Sequence, residues 1–278
     1  MPDSLASDGG RLAEHRGAAR HTVWRVSRRV LITGAAGDIG STLSAGLAGH
    51  FDLVRTDADP DAEGVDPLDV RDVEACEQAF DRVDTVIHLA GAASPDSDWE
   101  TVLQLNIVGT RSVLEAARLA GVRRVVLASS NHVMGMYDRH EQWPVYGSMP
   151  TRPDSLYGVS KVAAEALGRF YHDEHDLEVI ALRIGWSTGD YGAADEEVLQ
   201  AMWLSERDTV EAFRCAVEAP VRFGIYYVTS DNPNRRWDMT DTMLELGYRP
   251  QDSWHHASGE QEQVVPGGEH VSQEWPNV

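Results

Sequence analysis

The stretch "TGAAGDIG" (Thr33–Gly40) decides how the rest of the chain is read. It follows the apolar run "RVLI" (29–32) and opens the amphipathic run "DIGSTLSAGLAGH" (38–50). Its glycines, Gly34, Gly37 and Gly40, are spaced G-x-x-G-x-x-G. A tight strand-to-helix turn requires the first, and close packing of the helix on a sheet requires the third. The second leaves the helix N-terminus open to a phosphate. An acid, Asp57, ends the next apolar run, "FDLVRTD" (51–57). A carboxylate there accepts both hydroxyls of an adenosine ribose and repels a 2′-phosphate. The turn and the acid together predict a dinucleotide, NAD in preference to NADP, with Arg55 keeping NADP possible.

Further apolar, β-branched runs follow at "DTVIHLAG" (84–91), "RRVVLASS" (123–130) and "LEVIALRIG" (177–185). Helical patterns separate them at "VEACEQAF" (73–80), "WETVLQLNIVGTRSVLEAARLAG" (99–121) and "YGVSKVAAEALGRFYHDEH" (157–175). Short continuous strands alternating with amphipathic helices predict an α/β fold, a Rossmann-type doubly wound parallel sheet. After Gly185 the pattern turns irregular. It predicts an acidic loop, a helix near 206–219, a strand "FGIYYVTS" (223–230) and a helix near 239–246. The expected organisation is a disordered N-terminal extension (1–28), an NAD-binding domain carrying the YxxxK helix (29–185), a small C-terminal substrate-binding lobe (186–254) and a mobile acidic tail (255–278).

The 278 residues include 45 Asp and Glu against 24 Lys and Arg, a net charge of −21. Nucleic acid and anionic membrane would be repelled, so neither is expected as a partner. Such a surface suits a salt-rich cytoplasm, where self-repulsion is screened. No apolar run is long enough to span a bilayer. Residues 1–28 carry Arg11, Arg16, Arg20, Arg25 and Arg28 without an apolar core, which is not a secretory signal. The two cysteines, Cys76 and Cys215, fall in helical patterns, so a reducing compartment without a disulfide framework is expected. No metal is expected. His255 and His256 are adjacent and do not converge, and "HDEH" (172–175) reads as a solvated helix face.

One feature of composition points to chemistry. Lys161, in "SLYGVSKVAAEAL" (155–167), is the single lysine of the chain. Tyr157 and Lys161 stand at i and i+4 and share a helix face. A phenol is a poor base at neutral pH, and an ammonium beside it would stabilise the phenolate. A compact ammonium also bonds ribose hydroxyls in a geometry that a planar guanidinium does not match. The lysine is expected to remain where chemistry selected it.

In order, "TGAAGDIG", "HLAG", "LASSNH" and "YGVSK" resemble the extended short-chain dehydrogenase/reductase family. Within it, "SSNHVMGMY", "RPDSLYGVSK", "LRIG" and "AMWLSERD" are most similar to uronate dehydrogenases and to sugar dehydrogenases of salt-loving archaea. The resemblance covers about residues 29–250. It implies that Ser130 hydrogen-bonds the reacting hydroxyl, Tyr157 takes its proton, Lys161 tunes Tyr157, and Asn106 supports the lysine through water. It implies cofactor contacts from Gly34, Gly37, Asp38, Ile39, Gly40 and Asp57, from Asp69 and Val70 at the adenine, and from Leu89, Ala90 and Gly91 beneath the nicotinamide ribose, where Tyr157 and Lys161 also reach. Asn131 and His132, with Ser130 and Tyr157, match sugar-binding positions. Read from the residues alone, Asp69 could instead cap a helix starting near Arg71. Asn106 could be a polar residue inside a helix, and His132 a satisfied buried histidine.

The resemblance breaks at one place. Uronate dehydrogenases hold the substrate carboxylate with an arginine just before the tryptophan of the W-S stretch. Anchoring on Trp203 and Ser205 puts Val198 there, beside Asp195, Glu196 and Glu197. The expected activity is therefore an NAD(P)-dependent aldose 1-dehydrogenase acting on a neutral sugar such as L-arabinose. Alternatives are a uronate or glucose-6-phosphate dehydrogenase with Arg207 or Arg183 as the anion's partner, a nucleotide-sugar epimerase or dehydratase, and a non-catalytic NAD-binding regulator. A homo-oligomer is expected, since relatives self-associate.

Overall fold

The computed structural model describes residues 28–187 and 196–254. The expectations for residues 1–27 and 255–278, and for Asp195 in the acidic loop, lie outside the described residues. In chain order the elements are β1 (Arg29–Thr33), α1 (Asp38–Gly46), β2 (Asp52–Asp57), β3 (Asp66–Pro67), α2 (Val73–Ala79) and β4 (Thr85–His88). Then come α3 (Trp99–Thr101), a π-helical segment (Val102–Val108) that runs into α4 (Gly109–Ala120), β5 (Arg124–Ser130), a 3-10 turn (Asn131–Met134) and α5 (Gly135–Arg139). The chain closes with α6 (Leu156–His175), β6 (Glu178–Ile184), β7 (Trp186–Ser187), α7 (Glu197–Met202), β8 (Trp203–Leu204), α8 (Glu206–Glu218), β9 (Phe223–Val228) and a π-helical turn (Thr242–Leu246).

Seven strands form one sheet in the order β3-β2-β1-β4-β5-β6-β9, every pair parallel. The chain winds outward from β1 through β2 and β3, then restarts at β4 on the other side. That reversal opens a crevice at the carboxyl ends of β1 and β4, where doubly wound sheets bind ligands. Alternation along the strands feeds two cores. Val30 and Ile32 pack with Leu43 and Phe213 on one face, while Leu31 packs with Phe80 and Leu114 on the other. Both faces are covered, which is why the strands read as unbroken apolar runs.

Side chains cap α2, α6 and α8: Asp72 accepts from Ala75 N–H, Ser155 from Gly158 N–H and Ser205 from Asp208 N–H. Helices α1, α4 and α7 have no side-chain cap, and at α1 the N-cap is Gly37. Helices α4 and α6 end on left-handed residues, Gly121 (φ 71°) and Asp176 (φ 60°). At the amino edge of the sheet, fully buried Arg124 bonds Glu178 (2.8 Å) and the carbonyls of Ala216 (2.7 Å) and Val221 (2.7 Å). It closes the C-terminus of α8 against β5 and β6.

The stretch expected to form a small C-terminal lobe, 186–254, also contributes to the main sheet. Its strand, β9, pairs with β6 as the seventh strand of the main sheet, and α8 packs against α1. The apolar alternation of "FGIYYV" is what a parallel edge strand needs, and the sheet offered the open edge. A small parallel pair, β7–β8, forms the local structure over the carboxyl edge. Asp208, fully buried on α8, ties this region to the following chain by accepting from Ser230 Oγ (2.7 Å), Gln251 N–H (2.8 Å) and Asp252 N–H (3.0 Å).

Candidate active site

The glycine turn separates into two structural glycines and one that packing leaves free. Gly34 has φ +72°, and a Cβ there would stand 2.7 Å from Ala90 N. A Cβ on Gly40 would stand 2.1 Å from the Gly34 carbonyl oxygen, so the helix could not cross the turn. At Gly37 the nearest atom would be 3.5 Å away, an ordinary contact. Packing therefore does not demand glycine at 37. A group approaching the uncapped N-terminus of α1 from outside does, and a pyrophosphate fits that demand. Asp38 opens the helix on the exposed side, and Ile39 turns its side chain into the core. Asp57 is held by backbone, accepting from Ala36 N–H (3.0 Å) and Asp59 N–H (3.1 Å). Arg55 lies exposed two residues earlier on the same strand face.

Asp69 caps no helix; Asp72 does that for α2. Instead Arg71 grips the Asp69 carboxylate (2.6 Å), and that hydrogen bond holds it below the usual carboxylate range. The Val70 side chain is buried, with its Cγ2 3.2 Å from where a Cβ on Gly109 would be. Leu89 and Ala90 follow β4, with Ala90 N–H reaching Thr33 Oγ1 (3.4 Å). Gly91 is crossed closely by Asn106, whose Oδ1 would be 2.6 Å from a Cβ there. Asn106 lies in the π-helical segment and is fully used. It accepts from Ala92 N–H (2.8 Å) and donates to the Ala92 carbonyl (3.0 Å) and to Ser160 Oγ (2.9 Å). It thus reaches α6 through Ser160, the neighbour of Lys161.

Ser130 ends β5, and Tyr157 and Lys161 stand on the first turns of α6. The Ser130 hydroxyl favours the ionised form of the Tyr157 phenol across from it. Lys161 Nζ donates to the Ala128 carbonyl (2.8 Å) and lies 5.5 Å from the centre of the Tyr157 ring. All three are buried. Burial pushes the Tyr157 phenol up, partly offset by Ser130, and brings Lys161 down to about 8. The sequence expectation joins Lys161 to the positive nicotinamide ring in lowering the phenol; among the chain's own groups, desolvation is the largest cause at Tyr157 and Ser130 opposes it.

One neighbour, His88, carries no signature in the sequence. His88 is fully buried between Thr33 Oγ1 (2.8 Å) and Thr110 Oγ1 (3.2 Å). Burial, with the Lys161 charge adding to it, lowers His88 to about 3, so it is neutral. Asn131 turns its amide to Met202 Sδ (3.2 Å) and accepts from Ser130 Oγ (3.3 Å). His132 is not a buried core residue. Its side chain is 30 % exposed, its Nδ1 meets Asp154, and its ring stands edge-on to Tyr157 at 5.6 Å. Glu165 was visible in principle, since it continues the face of Tyr157 and Lys161 by one more turn.

The arginines considered for an anionic sugar are engaged. Arg183, 2 % exposed, is bidentate to Glu165 (2.8 and 2.9 Å). Arg207 pairs with Asp252. Val198 packs on the core from α7, and its neighbour Glu197 lies 3.6 Å from Arg236, which also pairs with Asp138 (2.6 Å). In "AMWLS", Trp203 forms β8 and Ser205 caps α8, so this stretch shapes the rim. Both cysteines are free and buried, with thiols pushed up to about 12. Among the described residues no group of three or more His, Cys, Asp or Glu could hold a metal ion.

An uncapped helix, an acid at the end of β2 and a Ser-Tyr-Lys group at the carboxyl edge of a parallel sheet define a Rossmann-type dinucleotide-binding protein. More particularly, the chain belongs to the NAD dependent epimerase/dehydratase family, whose model matches residues 30–205. It is 42 % identical over 247 residues to an L-arabinose 1-dehydrogenase (NAD(P)(+)) of Haloferax volcanii, covering 81 % of this chain and 97 % of that protein. An NAD-dependent glucose-6-phosphate dehydrogenase of the same organism is 38 % identical over 244 residues, covering 81 % and 93 %. The crystal structure of a glucuronic acid dehydrogenase from Chromohalobacter salexigens is similar with a TM-score of 0.75 at 33 % identity, covering 89 % and 92 %.

Proposed function

We propose that this protein is an NAD(P)-dependent aldose 1-dehydrogenase that oxidises the anomeric carbon of a free neutral sugar, with L-arabinose as the favoured example, to an aldonolactone. The observation that carries this reading is the convergence of Ser130, Tyr157 and Lys161 beside the glycine turn. Bound NAD would supply the hydride acceptor and a positive nicotinamide ring. Ser130 would hold the anomeric hydroxyl, and Tyr157, once ionised, would take its proton as the C1–H bond breaks. Lys161 would hold the nicotinamide ribose, and its charge would favour the phenolate that burial opposes. Gly37, Asp38, Ile39 and Asp57 would hold the pyrophosphate and adenosine ribose; Asp69, Val70, Leu89, Ala90 and Gly91 would line the remainder.

Charge favours a neutral sugar. Arg183 and Arg236 already serve Glu165 and Asp138, and residues 188–195 contain no Lys or Arg. A charge-assisted bond absent from the site would cost an anionic sugar roughly ten- to a hundredfold in kcat/KM. The 38 % identical relative named for glucose 6-phosphate supports that sugar as the second reading. The test is a panel of aldoses, uronates and glucose 6-phosphate with NAD and NADP, followed by NADH release in high salt. A neutral aldose should lead and Tyr157→Phe should abolish turnover. A leading uronate or phosphate would overturn the neutral-sugar reading, and no net NADH would point to an epimerase or a regulator.

The same reading places the enzyme in the cytoplasm without nucleic-acid partners, as its net charge of −21 supports. No helix among the described residues is long and apolar enough to cross a membrane. Self-association is read from α6. Leu156, Val159, Ala163, Ala166 and Phe170 form a stripe at alternating spacings of three and four, and Leu156, Val159 and Phe170 are exposed. Two antiparallel copies centred on Ala163 would set Leu156 against Phe170, with small residues where the helices cross.

A further inference from the structure

The Asp154–His132 contact is built from more than one side. Both Asp154 oxygens lie 2.9 Å from His132 Nδ1. The carboxylate occupies space that Gly135 leaves empty, since a Cβ on Gly135 would stand 1.9 Å from Asp154 Oδ2. Backbone bonds lay the 152–154 strap along the turn after β5: Asp154 N–H to the His132 carbonyl (3.3 Å), Arg152 N–H to Val133 (3.0 Å) and Met136 N–H to Arg152 (3.0 Å). Ser155 Oγ donates to Asp154 Oδ1 (3.0 Å) and accepts from Gly158 N–H (3.0 Å), joining the carboxylate to the turn of α6 that carries Tyr157. The Tyr157 ring stands edge-on to the imidazole at 5.6 Å, and the backbone N–H of His132 donates to Ser130 Oγ (3.3 Å).

A carboxylate with both oxygens at Nδ1 is satisfied only by a proton on that nitrogen; a lone pair there would face two negative oxygens. The neutral ring then carries its lone pair on Nε2, which has no partner among the described residues and belongs to a side chain 30 % exposed beside Ser130 and Tyr157. We propose that Asp154 is a positioning residue for sugar recognition: it fixes His132 as the tautomer whose Nε2 accepts a hydrogen bond from a ring hydroxyl of the sugar held at Ser130 and Tyr157. The inference rests on the aldose reading above and deepens it.

Two measurements test this separately from the reaction. In 15N-histidine-labelled protein at pH about 9, where free imidazole is neutral, His132 should show a protonated Nδ1 and an unprotonated Nε2, its signals assigned by their loss in His132→Ala. Asp154→Ala, which removes the acceptor, should abolish that preference. An unprotonated Nδ1 in wild type, or an unchanged spectrum in Asp154→Ala, would overturn the role of Asp154 whatever the reaction. In turnover, Asp154→Ala should lower kcat/KM for the aldose roughly ten- to a hundredfold, chiefly through KM, with thermal midpoint and NADH affinity retained. For the one monodeoxy analogue lacking the hydroxyl that His132 reads, Asp154→Ala should match wild type, and the double variant with His132→Ala should be no worse than His132→Ala alone. Equal losses on every analogue, or additive losses in the double variant, would reduce Asp154 to a packing residue. Absence of turnover on every sugar would overturn the dehydrogenase reading instead, and the spectrum would still decide the tautomer.

Discussion

Single atoms separate binding from folding in the glycine turn. Gly40→Ala forces a Cβ to 2.1 Å from the Gly34 carbonyl oxygen, whereas Gly37→Ala meets nothing closer than 3.5 Å. Gly40→Ala should cost at least the roughly 1–3 kcal/mol of an overpacked site and lower the thermal midpoint. Gly37→Ala should melt like wild type yet bind NADH more weakly, read by fluorescence titration. Equal melting of both variants would remove the distinction. Lys161 gives a second prediction, with a definite sign. Its pKa falls from the ordinary 10.5 to about 8 in the folded chain, because burial disfavours the ammonium. Between these values the unfolded chain binds the extra proton, so this group's contribution to stability rises with pH there. Below pH 8 its penalty is present in full. Lys161→Met should therefore stabilise the apoprotein near neutrality, by ~3 kcal/mol at most, and the gain should fade towards pH 10.5. Urea melts of both proteins across that range check it; a pH-independent difference would contradict the burial argument.

Elements were legible to different degrees. Each long helix and strand of the main sheet was readable because periodicity and Gly punctuation are local. The π-helical segment at Val102–Val108 was not: the sequence reads as one continuous amphipathic helix, and only the need to carry Asn106 to Ala92 and Ser160 explains the wider turn. Strand β9 was readable as a strand but not as a member of the main sheet, since pairing partners are chosen by an open edge far along the chain. The Ser130, Tyr157 and Lys161 group could be anticipated from spacing and resemblance, whereas His88, Asp154 and Met202 depend on contacts across space. Helix α6 carries the prediction for this scale. Between Leu156 and Gly168 its charged residues, Lys161 and Glu165, both point inward. Ala163→Arg would place a charge at the centre of the outward stripe and should halve the mass measured by light scattering while leaving the melting curve's shape intact. A wild-type chain that is already monomeric would dismiss this face as the interface.

The sequence sets 45 Asp and Glu against 24 Lys and Arg, and among the described residues many arginines stand in pairs and buried brackets such as Arg124 with Glu178. Self-repulsion of this size opposes the compact state at low ionic strength and is screened at high. The thermal midpoint should therefore climb steadily as KCl is raised from tens of millimolar to molar. Sulfate adds a general stabilising effect, so the chloride series is the informative one. A flat or falling curve would show that the arginine pairs already neutralise the surface.

The burial of the chain's single lysine has a practical consequence. A protease that cleaves after lysine has one internal bond to cut, Lys161–Val162, and in the native protein that bond lies inside helix α6. Cleavage there reports the opening of that helix alone, and it destroys the site in the same stroke. Amine-reactive labels meet the same restriction. Apart from the chain terminus they can attach only at the floor of the crevice, so bound cofactor should shield the protein from both reagents, and the amount of label taken up measures the fraction of molecules whose crevice stands empty.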